Sequence, residues 1–252
     1  MSGVKTGIEG LDELLDGGFP KDHLTLLTGQ TGAGKTIFGL QYLVYGAVTC
    51  GEKGIYISFE QSREDLILQS KTFGWEIEEL EKNGLIKIFN AKPGNSHLIG
   101  IITDLEEVVK EFKPNRLVFD SISVYGVYAE TISYLETVFS LGVKKEEINF
   151  ALTPESITRK TIMDILEKLR GFNVTSIVIS ELPETTNFLS RDTISEFMAD
   201  GVIILRHIRI GSSLSRSLEV RKMRYTKIKE GTHTYNLTSK GIVIEGKGNN
   251  LL

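Results

Sequence analysis

Cysteine is almost missing from this chain: Cys50 is the only one in 252 residues. A single thiol excludes an intramolecular disulfide and any paired-cysteine zinc site. That scarcity fits a reducing, cytoplasmic setting, and no signal-peptide core opens the chain. The formal glycosylation acceptor Asn236-Leu237-Thr238 is set aside on that ground. Cys50 ends an apolar helical stretch, so it is expected as a buried small hydrophobe rather than a reactive thiol. Long hydrophobic runs are lacking too, none approaching the ~20 residues of a membrane span. Net charge is only −4, which gives no chain-wide attraction for nucleic acid. There are no internal repeats, linkers or low-complexity tracts. One domain over residues 1–246 is expected, with 247–252 as a loose tail. A hydrophobic content of 40% over this length suffices for the core of one large α/β domain.

What the chain does have is a glycine-rich loop. It reads Gly29-Gln30-Thr31-Gly32-Ala33-Gly34-Lys35-Thr36 and matches G-x-x-x-x-G-K-[ST]. Glycines let backbone N–H groups close on phosphate oxygens. Lys35 reaches the terminal phosphates, and the Thr36 hydroxyl can ligate Mg²⁺. A helix starting at the loop points its positive end at the anion. The flanks supply the required setting: residues 24–28 are an apolar, strand-like run, and residues 37–45 carry a wide apolar helical face.

The rest of the chain alternates. A short helix is expected within residues 6–15, stopped by Gly17-Gly18. The helix from Lys35 runs to about Cys50, with Gly51 just beyond its end. Strand 55–59, a helix capped by Ser62, strand 85–89, helix 98–112 and strand 117–119 ending at Asp120 follow. Helices are expected at about 129–141 and from Pro154, and 174–180 is a β-branched strand. This order predicts a mostly parallel sheet covered on both faces by helices. After Gly201 the helices stop. Residues 202–207, 214–224, 233–237 and 242–244 read as strands of a C-terminal antiparallel extension.

Nucleotide chemistry needs an acid for the metal and a group to position water. Asp120 ends an apolar strand at the carboxyl edge of the sheet, where open α/β folds bind ligands, and can hold Mg²⁺ with Thr36. Glu60 follows its strand directly and can orient or deprotonate an attacking water. Ser180 and Glu181 close the next strand edge as candidate sensors, with Gln61. Alternation along residues 218–224 puts Leu218, Val220, Lys222 and Arg224 on one face, where two cations at a strand tip make either a phosphate clamp or a solvated end. Residues 206–229 hold eight Lys and Arg against Glu219, a net +7. That segment fits nucleic-acid binding, a subunit interface, or a solvated edge.

Together these residues resemble the KaiC-like branch of the RecA-superfamily ATPases, from about Thr6 to Ile244. The likeness rests on the lead-in 6–18, the Walker A loop, Thr72-Phe73-Gly74-Trp75, the Walker B strand through Asp120-Ser121, the run Ser195-Glu196-Phe197-Met198-Ala199-Asp200, and Lys222-Met223-Arg224. The resemblance implies a RecA-like P-loop core that forms a ring, usually a homohexamer, with ATP and Mg²⁺ at subunit interfaces. It assigns Lys222, Met223 and Arg224 to a neighbouring subunit's nucleotide. It adds Thr72, Thr226, Thr238 and Ser239 as nucleotide contacts, and puts Glu60 on the first of two adjacent catalytic glutamates. Lys35 is expected to share in catalysis.

Three departures refine the expectation. Gln61 stands where the second glutamate would be, and Gln cannot take a proton. Ile228 stands where many members carry His. Glu196-Phe197 stands where the phosphorylating domain of the clock protein carries a Ser-Thr pair, so ATP hydrolysis without self-phosphorylation there is expected. The leading reading is an Mg-dependent ATPase ring serving as a regulatory or signalling module, with a signalling protein as a possible partner and no membrane association. The alternatives are a RadA-like, DNA-dependent ATPase and a nucleotide-gated scaffold of very slow turnover. Against DNA, the loop from Glu181 to Asn187 is not basic.

Overall fold

The computed structural model describes residues 3–91, 98–141, 153–183, 188–210 and 213–245. Its elements run α1 (Leu11–Leu14), β1 (Leu24–Gly29), α2 (Lys35–Cys50), β2 (Gly54–Ser58), α3 (Arg63–Lys71), α4 (Ile77–Lys82), β3 (Ile86–Asn90), α5 (Leu98–Phe112) and β4 (Arg116–Asp120). They continue with α6 (Ile122–Leu141), α7 (Pro154–Gly171), β5 (Thr175–Glu181), α8 (Ser195–Met198), β6 (Gly201–Ile210), β7 (Ser213–Met223), β8 (Thr232–Thr238) and β9 (Gly241–Ile244). One nine-stranded sheet joins them in the order β3-β2-β4-β5-β1-β6-β7-β8-β9.

Pairing is parallel from β3 through β6 and antiparallel from β6 through β9. The expected α/β core with a C-terminal antiparallel extension is therefore present, with one correction. Residues 202–207 belong to the parallel part, because β6 lies beside β1 with Gly29 opposite Leu205. Central strands β1, β2 and β4 are buried along their whole length, as continuous apolar strands between two helical layers should be. Alternation divides the side chains between two cores. Tyr56, Val118, Ile177 and Ile203 pack with α1–α4 and the extension. Ile55, Ile57, Leu117, Phe119 and Val178 pack with α5–α7.

The local signals explain most boundaries. Ser62 caps α3 by accepting from the Asp65 N–H, and the Asp65 carboxylate reaches back to the Ser62 N–H. Thr153 caps α7 in the same way through the Ser156 N–H, with Pro154 in the first turn. Gly51 ends α2 at φ 65°, where a side chain would be strained.

Three expectations change. Helix α6 starts at Ile122, not near 129. An added Cβ on Gly126 would stand 3.2 Å from Ile162, so glycine there lets α7 approach closely. Cys50 is exposed, because the last turn of α2, residues 48–50, emerges from the core; its Sγ accepts from Arg116 Nη2 at 3.8 Å. The common face of Leu218, Val220, Lys222 and Arg224 is broken by a bulge: Val202 pairs with Lys222 while Ile203 pairs with Val220, leaving Arg221 unopposed. The extra residue turns Met223 into the core beside Leu218 and Val220 and sends Lys222 and Arg224 to the other face. The expected tail, residues 247–252, and residues 184–187 of the loop weighed against DNA lie outside the described residues.

Candidate nucleotide-binding site

The loop joins β1 to α2 at the carboxyl edge of the sheet. Gly32 and Gly34 take φ of 78° and 91°, left-handed values that suit glycine and turn the loop's N–H groups about the start of α2. The extension braces it from outside. Tyr235 on β8 donates its hydroxyl to the Ala33 carbonyl at 2.5 Å, and the His207 N–H on β6 donates to Gln30 Oε1 at 2.7 Å.

Lys35 opens α2 and is nearly buried. Its ammonium donates to the Gly29 and Gln30 carbonyls at 2.9 and 3.1 Å and pairs with Glu181 Oε1 at 2.9 Å. Thr31 donates to the other oxygen of Glu181 at 3.4 Å. The lysine is thus held extended across the mouth of the loop, where phosphates would replace the carboxylate. Glu181 is fixed from behind, its N–H donating to Ser123 Oγ at 2.9 Å, with Ser180 Oγ 3.3 Å from the same hydroxyl.

Asp120 ends β4 two strands away. Its Oδ2 accepts from Thr36 Oγ1 at 2.9 Å and from the Tyr56 hydroxyl at 2.5 Å. Burial, helped by the nearby Glu60 carboxylate, pushes this carboxyl up to about 6 against the pull of the Tyr56 and Thr36 hydroxyls and the Lys35 charge. Glu60, just past β2, is exposed, and its Oε1 accepts from Ser121 Oγ at 2.6 Å. The adjacent Gln61 carries a buried Oε1 without a hydrogen-bond partner. A hydroxyl and one carboxylate at the start of a helix are hard oxygen donors that suit Mg²⁺, which shares its remaining positions with phosphates and waters.

Lys222 and Arg224 lie elsewhere. Gly201 pairs with both Thr25 and Met223, at the start of β1, whereas the loop follows Gly29 at its end. Four residues of strand, about 13 Å, separate the two edges. Lys222 Nζ donates to the carbonyls of Glu196 at 3.2 Å and Ala199 at 2.5 Å, at the end of α8. Arg224 and Arg170 both donate to Asp200 Oδ1, at 3.2 and 3.0 Å.

Comparison with known proteins decides the family. The family model described as "ATPase: KaiC" matches residues 4–141 and 146–249. The chain belongs to the KaiC family of ATPases. It is 28% identical to the circadian clock oscillator protein KaiC of Parathermosynechococcus lividus, over 95% of this chain and 42% of that protein. With the protein of that name from Prochlorococcus marinus strain SARG the identity is 29%, over 97% of this chain and 46% of the relative. The chain thus spans less than half the length of these relatives. The crystal structure of a KaiC-like protein from the archaeon Pyrococcus horikoshii OT3 is similar throughout: TM-score 0.80, 32% identity, 96% of this chain and 98% of that one.

Within this KaiC-family domain the remaining residues expected at nucleotide divide into two groups. Thr238 ends β8 and Ser239 begins the β8–β9 turn, near the loop, since Leu237 packs 3.3 Å from the position of a Cβ on Gly34. Thr72 ends α3 and is exposed, and the nearby Trp75 packs against Gly241 of that same turn. Thr226 instead donates to the Leu15 carbonyl at 2.9 Å, and the Met223 side chain is buried against Gly201, leaving only its backbone to offer. Sequence reasoning missed Tyr56, Ser123, His207 and Tyr235, and named Ser121 in the Walker B motif without giving it a role. A hydroxyl inside the otherwise apolar run of β2 was a usable signal for Tyr56; the others needed the fold.

Among the described residues no helix is long and apolar enough to cross a membrane.

Proposed function

We propose that this chain binds Mg-ATP and hydrolyses it at a site completed by a second copy of itself in a homomeric ring, and that it serves as a cytoplasmic regulatory or signalling module. One observation carries the reading: Lys35, Thr36, Asp120 and Glu60 converge on one edge of the sheet, while Lys222 and Arg224 stand together at the other. Two cations that cannot serve their own loop can serve a neighbour's, neutralising charge that develops on transferred phosphate. The exposed aromatics Phe197 and Tyr225 beside them suit burial against such a copy.

In this reading arriving phosphates displace Glu181 from Lys35. Thr36 and Asp120 would hold Mg²⁺, which would supply positive charge to offset that of the phosphates. Ser121 fixes one oxygen of Glu60, leaving the other to take a proton from water. Gln61 can orient that water once its side chain turns, since its unpartnered oxygen is buried. The groove of about 550 Å³ lined by Gly7, Gln41, Tyr45, Trp75 and Lys240 is where the base end of the nucleotide would lie.

The test couples mass to rate. Lys35→Ala protein and Lys222→Ala/Arg224→Ala protein should each be inactive, and mixing them should restore phosphate release, with mass measurement showing mixed rings. A monomer that hydrolyses ATP at full rate overturns the reading. The Lys35–Glu181 ion pair and Gln61 also favour a second reading, a scaffold that binds ATP and scarcely turns it over. Single-turnover phosphate release no faster than that of Glu60→Gln would select it.

A further inference from the structure

Tyr56 is a fully buried residue of β2, and its hydroxyl reaches Asp120 Oδ2 at 2.5 Å. Its ring lies under α2 against Gly39, where an added Cβ would stand 3.4 Å from Tyr56 Cε2 and 2.8 Å from Val118. The missing side chain at Gly39 lets the ring reach along the sheet to the carboxylate. Thr36 Oγ1 donates to the same Oδ2 at 2.9 Å. These two donors are not equivalent. The threonine hydroxyl is a metal ligand in the function proposed above, and on that reading it turns from Asp120 to the ion. The Tyr56 hydroxyl bonds Asp120 and lies within reach of the Thr36 hydroxyl, and its burial bars water from taking its place.

We propose that Tyr56 is a positioning residue for the metal: its hydroxyl holds Asp120 Oδ2 when Thr36 turns away, so that the carboxylate keeps one orientation and Oδ1 is left to the ion. Partners that orient a metal-binding group in this way typically govern metal affinity by 10- to 100-fold. The proposal rests on the reading that Thr36 and Asp120 hold Mg²⁺.

Tyr56→Phe removes only the hydroxyl. Mn²⁺ binding to the protein–ADP complex, followed by electron paramagnetic resonance, is expected to weaken about tenfold. Affinity for a fluorescent ATP analogue in EDTA, read on the same sample, is expected to stay within about twofold, a free-energy change below about 0.4 kcal/mol. Unchanged Mn²⁺ affinity in Tyr56→Phe, where Asp120→Asn weakens it, overturns the role of Tyr56 alone. Unchanged affinity in both variants overturns the metal site and this inference with it. A parallel loss of metal-free nucleotide affinity marks a general structural role and also overturns the proposal.

Discussion

Asp120→Asn should make the ligand-free protein more stable while abolishing the proposed metal site. The carboxyl is buried, and burial is the main reason its pKa rises from an ordinary 3.8 to about 6. Between those values the folded state holds a proton that the unfolded chain has released, so stability falls as pH rises through that window. Above pH 6 the fold carries a charged group it would sooner keep neutral, at a cost of about 3 kcal/mol. Asparagine resembles the protonated acid, and its carbonyl can still accept from Tyr56 and Thr36. The groups facing this carboxyl are Glu60, which raises its pKa, and Lys35, which lowers it. Thermal melts in EDTA without nucleotide, from pH 4 to 8, test the argument. At pH 7.5 Asp120→Asn should melt higher, by roughly 2–4 °C per kcal/mol at this chain length. Near pH 4 the advantage should vanish. Equal melting at pH 7.5, or an advantage that persists at pH 4, would refute the reasoning.

Glu181→Gln removes the charge that pairs with Lys35. ATP affinity by fluorescence titration should tighten, by up to about tenfold or 1.4 kcal/mol; weaker binding would mean that Glu181 supports the nucleotide rather than competing with it. Arg116 is fully buried, pairs with Glu52 at 2.5 Å, and donates to the carbonyls of Lys5 and Tyr42 at 2.8 and 2.9 Å. Arg116→Ala should cost about 3–5 kcal/mol in urea unfolding, because it strands those acceptors and leaves a hole between α2 and β4. A loss below about 1 kcal/mol, the worth of an exposed pair, would show that water satisfies them. Gly46→Ala would place a Cβ 2.2 Å from Arg116 Nε and should destabilise by the same route, with a melting point closer to Arg116→Ala than to the parent.

The sequence by itself determined what depends on neighbours along the chain. The glycine spacing of the loop, the apolar runs of β1 and β4, the cap at Ser62, the start at Pro154 and the stop at Gly51 act through local backbone geometry, and each stands where its residues put it. Strand–helix alternation then made a parallel sheet the economical way to bury those runs. Tertiary structure decided whatever depends on register and depth. Cys50 looked internal on its helix, but the helix outruns the core. Residues 202–207 read like their antiparallel successors, since a strand's apolar pattern does not state its direction; pairing with β1 did. Lys222 followed the period of two until the bulge at Arg221 reversed its face, and only sheet pairing reveals an unopposed residue. The glycine loop was legible because its chemistry is contiguous. Its partners Asp120, Tyr56, Glu181 and Tyr235 meet it through contacts spanning many residues, and strand order, not spacing, brings those side chains to one edge.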